Sequence, residues 1–241
     1  MELSHARVIA LPAEFDATSL RALEVAFGEP DGRVLVLSGH APGTTFCRGL
    51  SLEQAAASAD PDAARRSLQR FADLLVLLTE LPVPRVAAVD GAAIGGGVGF
   101  AAACDVVLAT PRATFALPEL LWGFFPASIW PVLSDRVAGR ALEALALQGH
   151  SIDAAEALRI GLIDRIVPVH ALEQAVRQLV RSVARGDATC LAPLRTWRRR
   201  QASRPLREAI LEGGSITAAL VARPSTQRRL QRYLDGEAPW T

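Results

Sequence analysis

The chain contains no lysine: all 26 basic residues among its 241 are arginine. Without a side-chain amine, neither a Schiff base nor a lysine general base is available. Cysteine is also scarce. Cys47, Cys104 and Cys190 lie far apart, form no Cys-x-x-Cys pair and have no metal-ligand spacing to His5, His40, His150 or His170. No metal site is therefore expected, and the thiols read as reduced, as in a cytoplasmic protein. Mean hydropathy is slightly positive, yet no run reaches the ~18 apolar residues of a spanning helix, so no membrane partner is expected. No basic stretch followed by an apolar run comes after Met1, so no secretion signal is expected. A formal charge of +1 gives no field that would gather nucleic acid.

What is present is apolar residue, half of the composition and enough to bury a large core. Arg33–Ser38 is a β-branched apolar run after the turn-like Pro30-Asp31-Gly32 and predicts a buried strand. A loop over Gly39–Gly49 follows. From Pro61 to Glu80 the spacing of Leu68, Phe71, Leu75 and Leu78 predicts a helix that Pro82 and Pro84 end. Ala55–Ala64 reads as helix or loop. Strands are expected at Val86–Val89, Val106–Ala109, Ala113–Phe115 and Leu162–Val167, with a buried helix between the glycine triplet and Cys104. Further helices are expected over Leu133–Leu147 and from Ser151, the latter with Asp153 in its first turn and Gly161 as its stop. From Ala171 onward the pattern is helical, with Pro193, Pro205 and Pro224 as breaks. Alternating strands and helices predict an α/β fold with a mostly parallel sheet. The expected division is an α/β core over residues 1–170 and a helical region over 171–241, a layer that covers a site or makes subunit contacts.

Two loops carry chemical potential. One is Phe46-Cys47-Arg48-Gly49-Leu50-Ser51. The other runs from Gly91 through Gly95-Gly96-Gly97 to Phe100. A glycine triplet between strand and helix lets backbone approach a ligand and presents free N–H groups. Tight helix–sheet packing explains such a cluster equally well. The whole order is more specific: FCxG, AAVxGxAxGGG, CD, FxLPExxxG and AxxxGLIDRIVP, in sequence from Arg33 to Val169. This order resembles the enoyl-CoA hydratase/isomerase (crotonase) superfamily.

The resemblance implies stacked ββα units with a C-terminal helical region, assembled as a homotrimer or hexamer. It implies an acyl thioester substrate carried on the phosphopantetheine of CoA or an acyl carrier protein, with no other cofactor. It implies an oxyanion hole from the backbone N–H groups of Leu50 and Gly96, which would hold a thioester enolate. Hydratases of the family use two glutamates; Glu119 matches one, and Gly99 stands where the other would be. A charge within the apolar stretch Phe115–Phe125 is expected to be buried, which would raise its pKa as general acid–base work requires.

The stretches GGGVGFAAACD and FALPELLWGFFPASIWPVL are similar to the dehydratases of polyketide β-branching. Those enzymes convert 3-hydroxy-3-methylglutaryl on a carrier protein to 3-methylglutaconyl. They carry an aspartate two residues after the first-loop glycine, where this chain has Ser51. The partner decarboxylase of that pathway uses a lysine, which excludes that role here. The implied activity is dehydration of a 3-hydroxyacyl thioester. The alternatives are Δ3,Δ2-enoyl-CoA isomerisation, which needs a single shuttle base, and a non-catalytic scaffold subunit. Candidate substrate-binding residues are Arg48, Ser51, Gly95, Trp122 and Ser128. Arg48 is a phosphate contact or a solvated loop arginine, and Trp122 and Trp130 are pocket lining or packing. Cys47 and Cys104 are expected to be core thiols. Arg195, Arg198, Arg199 and Arg200 are a carrier-docking patch or a solvated helix face.

Overall fold

The computed structural model describes residues 6–28, 34–51, 61–186, 190–200 and 205–237. Strand β1 (Ala6–Ala10) and helix α1 (Ala17–Gly28) open the chain. A repeating pattern follows in which two short strands precede a helix: β2 (Val34–Ser38), β3 (Thr45–Cys47) and α2 (Pro61–Glu80), then β4 (Arg85–Val89), β5 (Ala92–Ile94) and α3 (Gly96–Ala102). The third unit, β6 (Val106–Ala109) and β7 (Thr114–Ala116), ends in a 3-10 turn over Pro118–Trp122.

The first strand of each unit joins one sheet and the second joins another. The larger sheet is parallel throughout, in the order β1-β2-β4-β6-β9, where β9 is Arg165–Ile166. The smaller has the order β3-β5-β7-β8. Its first three strands are parallel, and β8 (Ile152–Asp153) runs antiparallel to β7. This is the mixed α/β architecture of stacked ββα units. The unbroken apolar runs of β2 and β4 reflect burial on both faces. Leu35, Leu37, Ala87 and Val89 face the main core, while Val34, Val36, Val86 and Ala88 face helix α7 (Leu172–Val183) through Ala175, Val176 and Val180.

Several elements depart from expectation. The helix expected over Leu133–Leu147 is two, α4 (Trp130–Ser134) and α5 (Gly139–Gln148), separated by Asp135–Ala138. Arg136 reaches from that gap to the Ala102 and Cys104 carbonyls at the end of α3, so the break has a tertiary partner. Ser151 does not start a helix. Ile152–Asp153 pairs with β7, and Asp153 is the N-cap of α6 (Ala154–Arg159), accepting from the Glu156 N–H at 2.8 Å. Of the strand expected over Leu162–Val167, only Arg165–Ile166 pairs. Pro205 and Pro224 mark breaks in the helical tail as expected, each where a new helix starts, whereas Pro193 lies inside one. Pro193, Pro205 and Pro224 lie in the first turn of α8 (Leu191–Arg200), at the N-cap of α9 (Leu206–Val221) and at the first position of α10 (Pro224–Leu234), where a missing N–H is harmless. Of the Ala55–Ala64 stretch, residues 55–60 lie outside the described residues and the rest begins α2.

Helix α9 crosses α2 and α4. Its Gly213 and Gly214 cost a helix interior ~1 kcal/mol each relative to alanine, but a Cβ at Gly213 would stand 2.1 Å from the Ala127 carbonyl oxygen, and one at Gly214 2.8 Å from Ala72 Cβ. The two glycines are what let the helix sit down.

Arg195 has no carrier-docking role. It is buried and donates to the carbonyls of Leu81 and Val83 and to Asp105, which also pairs with Arg85. The side chains of Arg198, Arg199 and Arg200 lie outside the described residues. Burial alone would push the Asp105 carboxyl up; the hydrogen bonds and charge of Arg85, then the charge of Arg195, bring it below its ordinary value. The aspartate of the CD motif is therefore a clamp between β6, the start of β4 and the helical tail. Replacing it takes the carboxylate away from two buried guanidiniums. Asp105→Ala is expected to cost about 3 kcal/mol, read by thermal denaturation as a fall in Tm of roughly 6–12 °C.

Candidate active site

Strands β3, β5 and β7 are parallel neighbours, so the chain leaves all three at the same edge of the smaller sheet. The first loop follows β3, the glycine triplet follows β5, and Leu117-Pro118-Glu119 follows β7. The segments most distant in sequence thus become adjacent in space. Phe15, before α1, pins the first loop: its N–H donates to the Gly49 carbonyl at 2.7 Å and its carbonyl accepts from the Ser51 N–H at 3.1 Å. Gly49, at φ +83°, lies so close to the triplet that a Cβ there would be 2.7 Å from the Gly96 nitrogen. Among the described residues, the N–H groups of Leu50 and Gly96 donate to no backbone or side-chain acceptor. Both residues line a single cavity of about 510 Å³, within the usual range for small-molecule sites.

All eight residues proposed from the sequence line this cavity: Arg48, Leu50, Ser51, Gly95, Gly96, Glu119, Trp122 and Ser128. Trp130 is not among the lining residues; it packs against the main core. Arg48 is mostly exposed, with Glu14 at 4.0 Å. Trp122 stacks obliquely on Phe124 and edge-on to Tyr233 of α10. Leu68 and Phe71 of α2 and Thr217 and Val221 of α9 also line the cavity.

Glu119 sits in the first turn of the 3-10 segment, which Pro118 starts and Gly123 closes at φ +94°. Only 6% of it is exposed, and Oε2 has no hydrogen-bond partner among the described residues. Gly95, at φ +52°, makes room for the carboxylate, since a Cβ there would meet Oε1 at 2.8 Å. Burial pushes the carboxyl up to about 7, with its own N–H pulling weakly the other way. The group is thus poised to hold or release a proton near neutral pH. The two buried thiols are not: burial pushes both Cys47 and Cys104 up to about 12, so neither is a nucleophile at neutral pH.

Gly99 is filled from outside. A Cβ there would lie 2.3 Å from Ile129 Cγ2 and 2.7 Å from Ile129 Cβ. A second carboxylate at this position would collide with Ile129, which lines the cavity in its stead. Sequence reading identified the absent glutamate but not the residue that replaces its volume. It also passed over Phe15, Phe71 and Thr217. Phe71 was visible only as a periodic apolar position, and Phe15 lay in a segment without a motif.

The enoyl-CoA hydratase/isomerase family model matches residues 4–241, and the chain belongs to that family. It is 34% identical over 185 residues to a chain described as an enoyl-CoA hydratase from Thermus thermophilus, covering 75% of this chain and 72% of that one. It is 33% identical over 168 residues to a carnitinyl-CoA dehydratase from Proteus mirabilis, covering 69% and 63%. A crystal structure described as a polyketide-biosynthesis enoyl-CoA hydratase from Bacillus subtilis superposes with a TM-score of 0.85 at 21% identity, over 98% of this chain and 95% of that one; at that identity the likeness shows the fold. No helix among the described residues is long and apolar enough to cross a membrane.

The raised carboxyl of Glu119 links to stability with a definite sign. Between its ordinary value of 4.5 and about 7, the folded chain holds a proton that the unfolded chain has released. Stability from this group is therefore present at low pH and lost as pH rises through that window. Glu119→Gln is expected to have a higher Tm than the wild type at pH 8, by an amount on the order of 3 kcal/mol in stability, and little difference at pH 5. Parallel melts across pH 5–8 check this; a constant offset at all pH values would mean that Glu119 ionises normally.

Proposed function

We propose that the chain dehydrates a 3-hydroxyacyl thioester, with 3-hydroxy-3-methylglutaryl on an acyl carrier protein as substrate and 3-methylglutaconyl as product. The supporting observation is the single buried carboxylate with an unpartnered oxygen, set in one cavity with two free backbone N–H groups. In the proposed reaction the thioester oxygen lies on the Leu50 and Gly96 N–H groups. Glu119, as carboxylate, takes the α-proton, and the enolate charge develops against those donors. The C2–C3 double bond then forms as the C3–O bond breaks. The departing hydroxyl takes the proton back from Glu119 and leaves as water, so one residue serves both transfers and ends unchanged. The enolate drives out the C3 hydroxyl, so one buried acid, Glu119, is enough to protonate it. The resemblance of Phe115–Pro131 to the β-branching dehydratases supports this acyl group, while Ser51 stands where those enzymes have an aspartate. Arg48 supplies charge for the phosphate of the pantetheine arm.

An isomerase uses the same parts, with Glu119 carrying a proton from C2 to C4, and the filled space at Gly99 favours that reading equally. A non-catalytic scaffold would have no use for a buried carboxylate of raised pKa. The proposed assembly is a homotrimer or a pair of trimers.

Mass spectrometry of carrier-bound acyl groups separates the enzymatic readings. Loss of one water from the 3-hydroxy-3-methylglutaryl form, faster than from a straight-chain 3-hydroxyacyl-CoA, is the expected result. No water loss, together with double-bond migration in a 3-enoyl-CoA, would assign the isomerase. Glu119→Gln is expected to lower turnover at least about a hundredfold; turnover within a few-fold of wild type removes Glu119 from the mechanism. Light scattering at micromolar concentration is expected to give a trimer or a multiple of it, against which a clean monomer would count.

A further inference from the structure

Two hydroxyls are buried in the cavity wall apart from the three site loops. Ser128 precedes α4 and Thr217 lies on α9; each is 5% exposed, both line the cavity, and their oxygens are 3.3 Å apart. The wall around them is apolar, with Leu68, Phe71, Ile129 and Val221. Thr217 donates its one proton to the Gly213 carbonyl at 2.9 Å, so it meets Ser128 as an acceptor. A separation of 3.3 Å is long for an O–H···O contact. The Ser128 hydroxyl is therefore tethered on one side only and keeps lone pairs and a loosely held proton for a ligand. The close seating of α9 creates this pair, since a Cβ at Gly213 would also come within 2.8 Å of the Ser128 nitrogen.

We infer that Ser128, positioned by Thr217, forms a subsite for a neutral hydroxyl on the acyl chain and selects hydroxylated over saturated acyl thioesters. A buried hydroxyl without a good partner is costly, and a ligand hydroxyl, being both donor and acceptor, satisfies it in either sense. A carboxylate suits this wall less well: among the described residues the only cationic side chain lining the cavity is Arg48, which is mostly exposed. The group held here is thus the 3-hydroxyl of the acyl chain and not the distal carboxylate. The inference rests on the reading of the cavity as a 3-hydroxyacyl thioester site.

The test uses the Glu119→Gln chain, in which turnover is slowed at least about a hundredfold, titrated calorimetrically with 3-hydroxy-3-methylglutaryl-CoA and with 3-methylglutaryl-CoA, which lacks only the hydroxyl. The hydroxylated ligand is expected to bind about tenfold more tightly. Adding Ser128→Ala or Thr217→Val should bring the two affinities within about twofold by weakening the hydroxylated ligand alone, while Thr217→Ser keeps the discrimination. Equal affinities before the second substitution, binding of neither ligand, or a ratio that survives both substitutions overturns the inference. So does an equal loss for both ligands, which marks a structural role. Water loss catalysed by the wild-type chain without hydroxyl discrimination removes the subsite and leaves the dehydratase reading. Discrimination without water loss does the reverse.

Discussion

Strands β3, β5 and β7 pair in parallel, Thr45 and Cys47 against Ala92 and Ala93, and Ala92–Ile94 against Thr114–Ala116. Parallel pairing requires a crossover between successive strands, and each crossover here passes through the larger sheet. Every unit therefore delivers its second strand to the same sheet and its following loop to the same edge. Gly49, Gly95 and Glu119 come from three different units, yet a single added methyl at Gly49 or Gly95 would strike the neighbouring loop. The pairing permits the cavity, and the glycines let its walls close.

Within that frame Glu119 is an expensive residue. Its carboxyl is buried without a full set of hydrogen bonds, and the cost is expressed as a pKa near 7 instead of as an ion pair. Asp105 is the counterexample in the same molecule. It is also desolvated, but two arginines hold it charged. The contrast separates a carboxylate whose pKa burial raises from one that arginines hold charged between helix and strands. A local loss of stability at a site is a familiar consequence of function.

The helical tail is part of the cavity. Thr217 and Val221 of α9 and Leu230 and Tyr233 of α10 line it, and Thr226 and Arg229 bond to the carbonyls of Gly123 and Leu121 beside the 3-10 turn that carries Glu119. Movement of the tail would reach the carboxylate through those contacts. Ile129 joins the same set, since it fills the volume above Gly99 while its neighbour Ser128 meets α9.

By itself the sequence determined the α/β class, most of the first three units, and the loops around Gly49, Gly95 and Glu119. Hydrophobic runs, prolines and glycines act locally, and local signals survive in a linear string. Helix Pro61–Glu80 was legible for that reason, as were β2, β4 and β6. The three-residue strands β3 and β5 were not, because each lies against a glycine-rich loop and exists only through its neighbours, although the equally short β7 was expected. The break between α4 and α5 depends on Arg136 finding the end of α3, and Arg195 looked like one more surface arginine until Asp105 and two carbonyls surrounded it. Glycine at position 99 told which group was absent; only packing decided that Ile129 would occupy its place. That Ser128 meets Thr217, 89 residues away, is likewise a decision of tertiary structure, since contacts between distant segments depend on crossing geometry that no local pattern encodes.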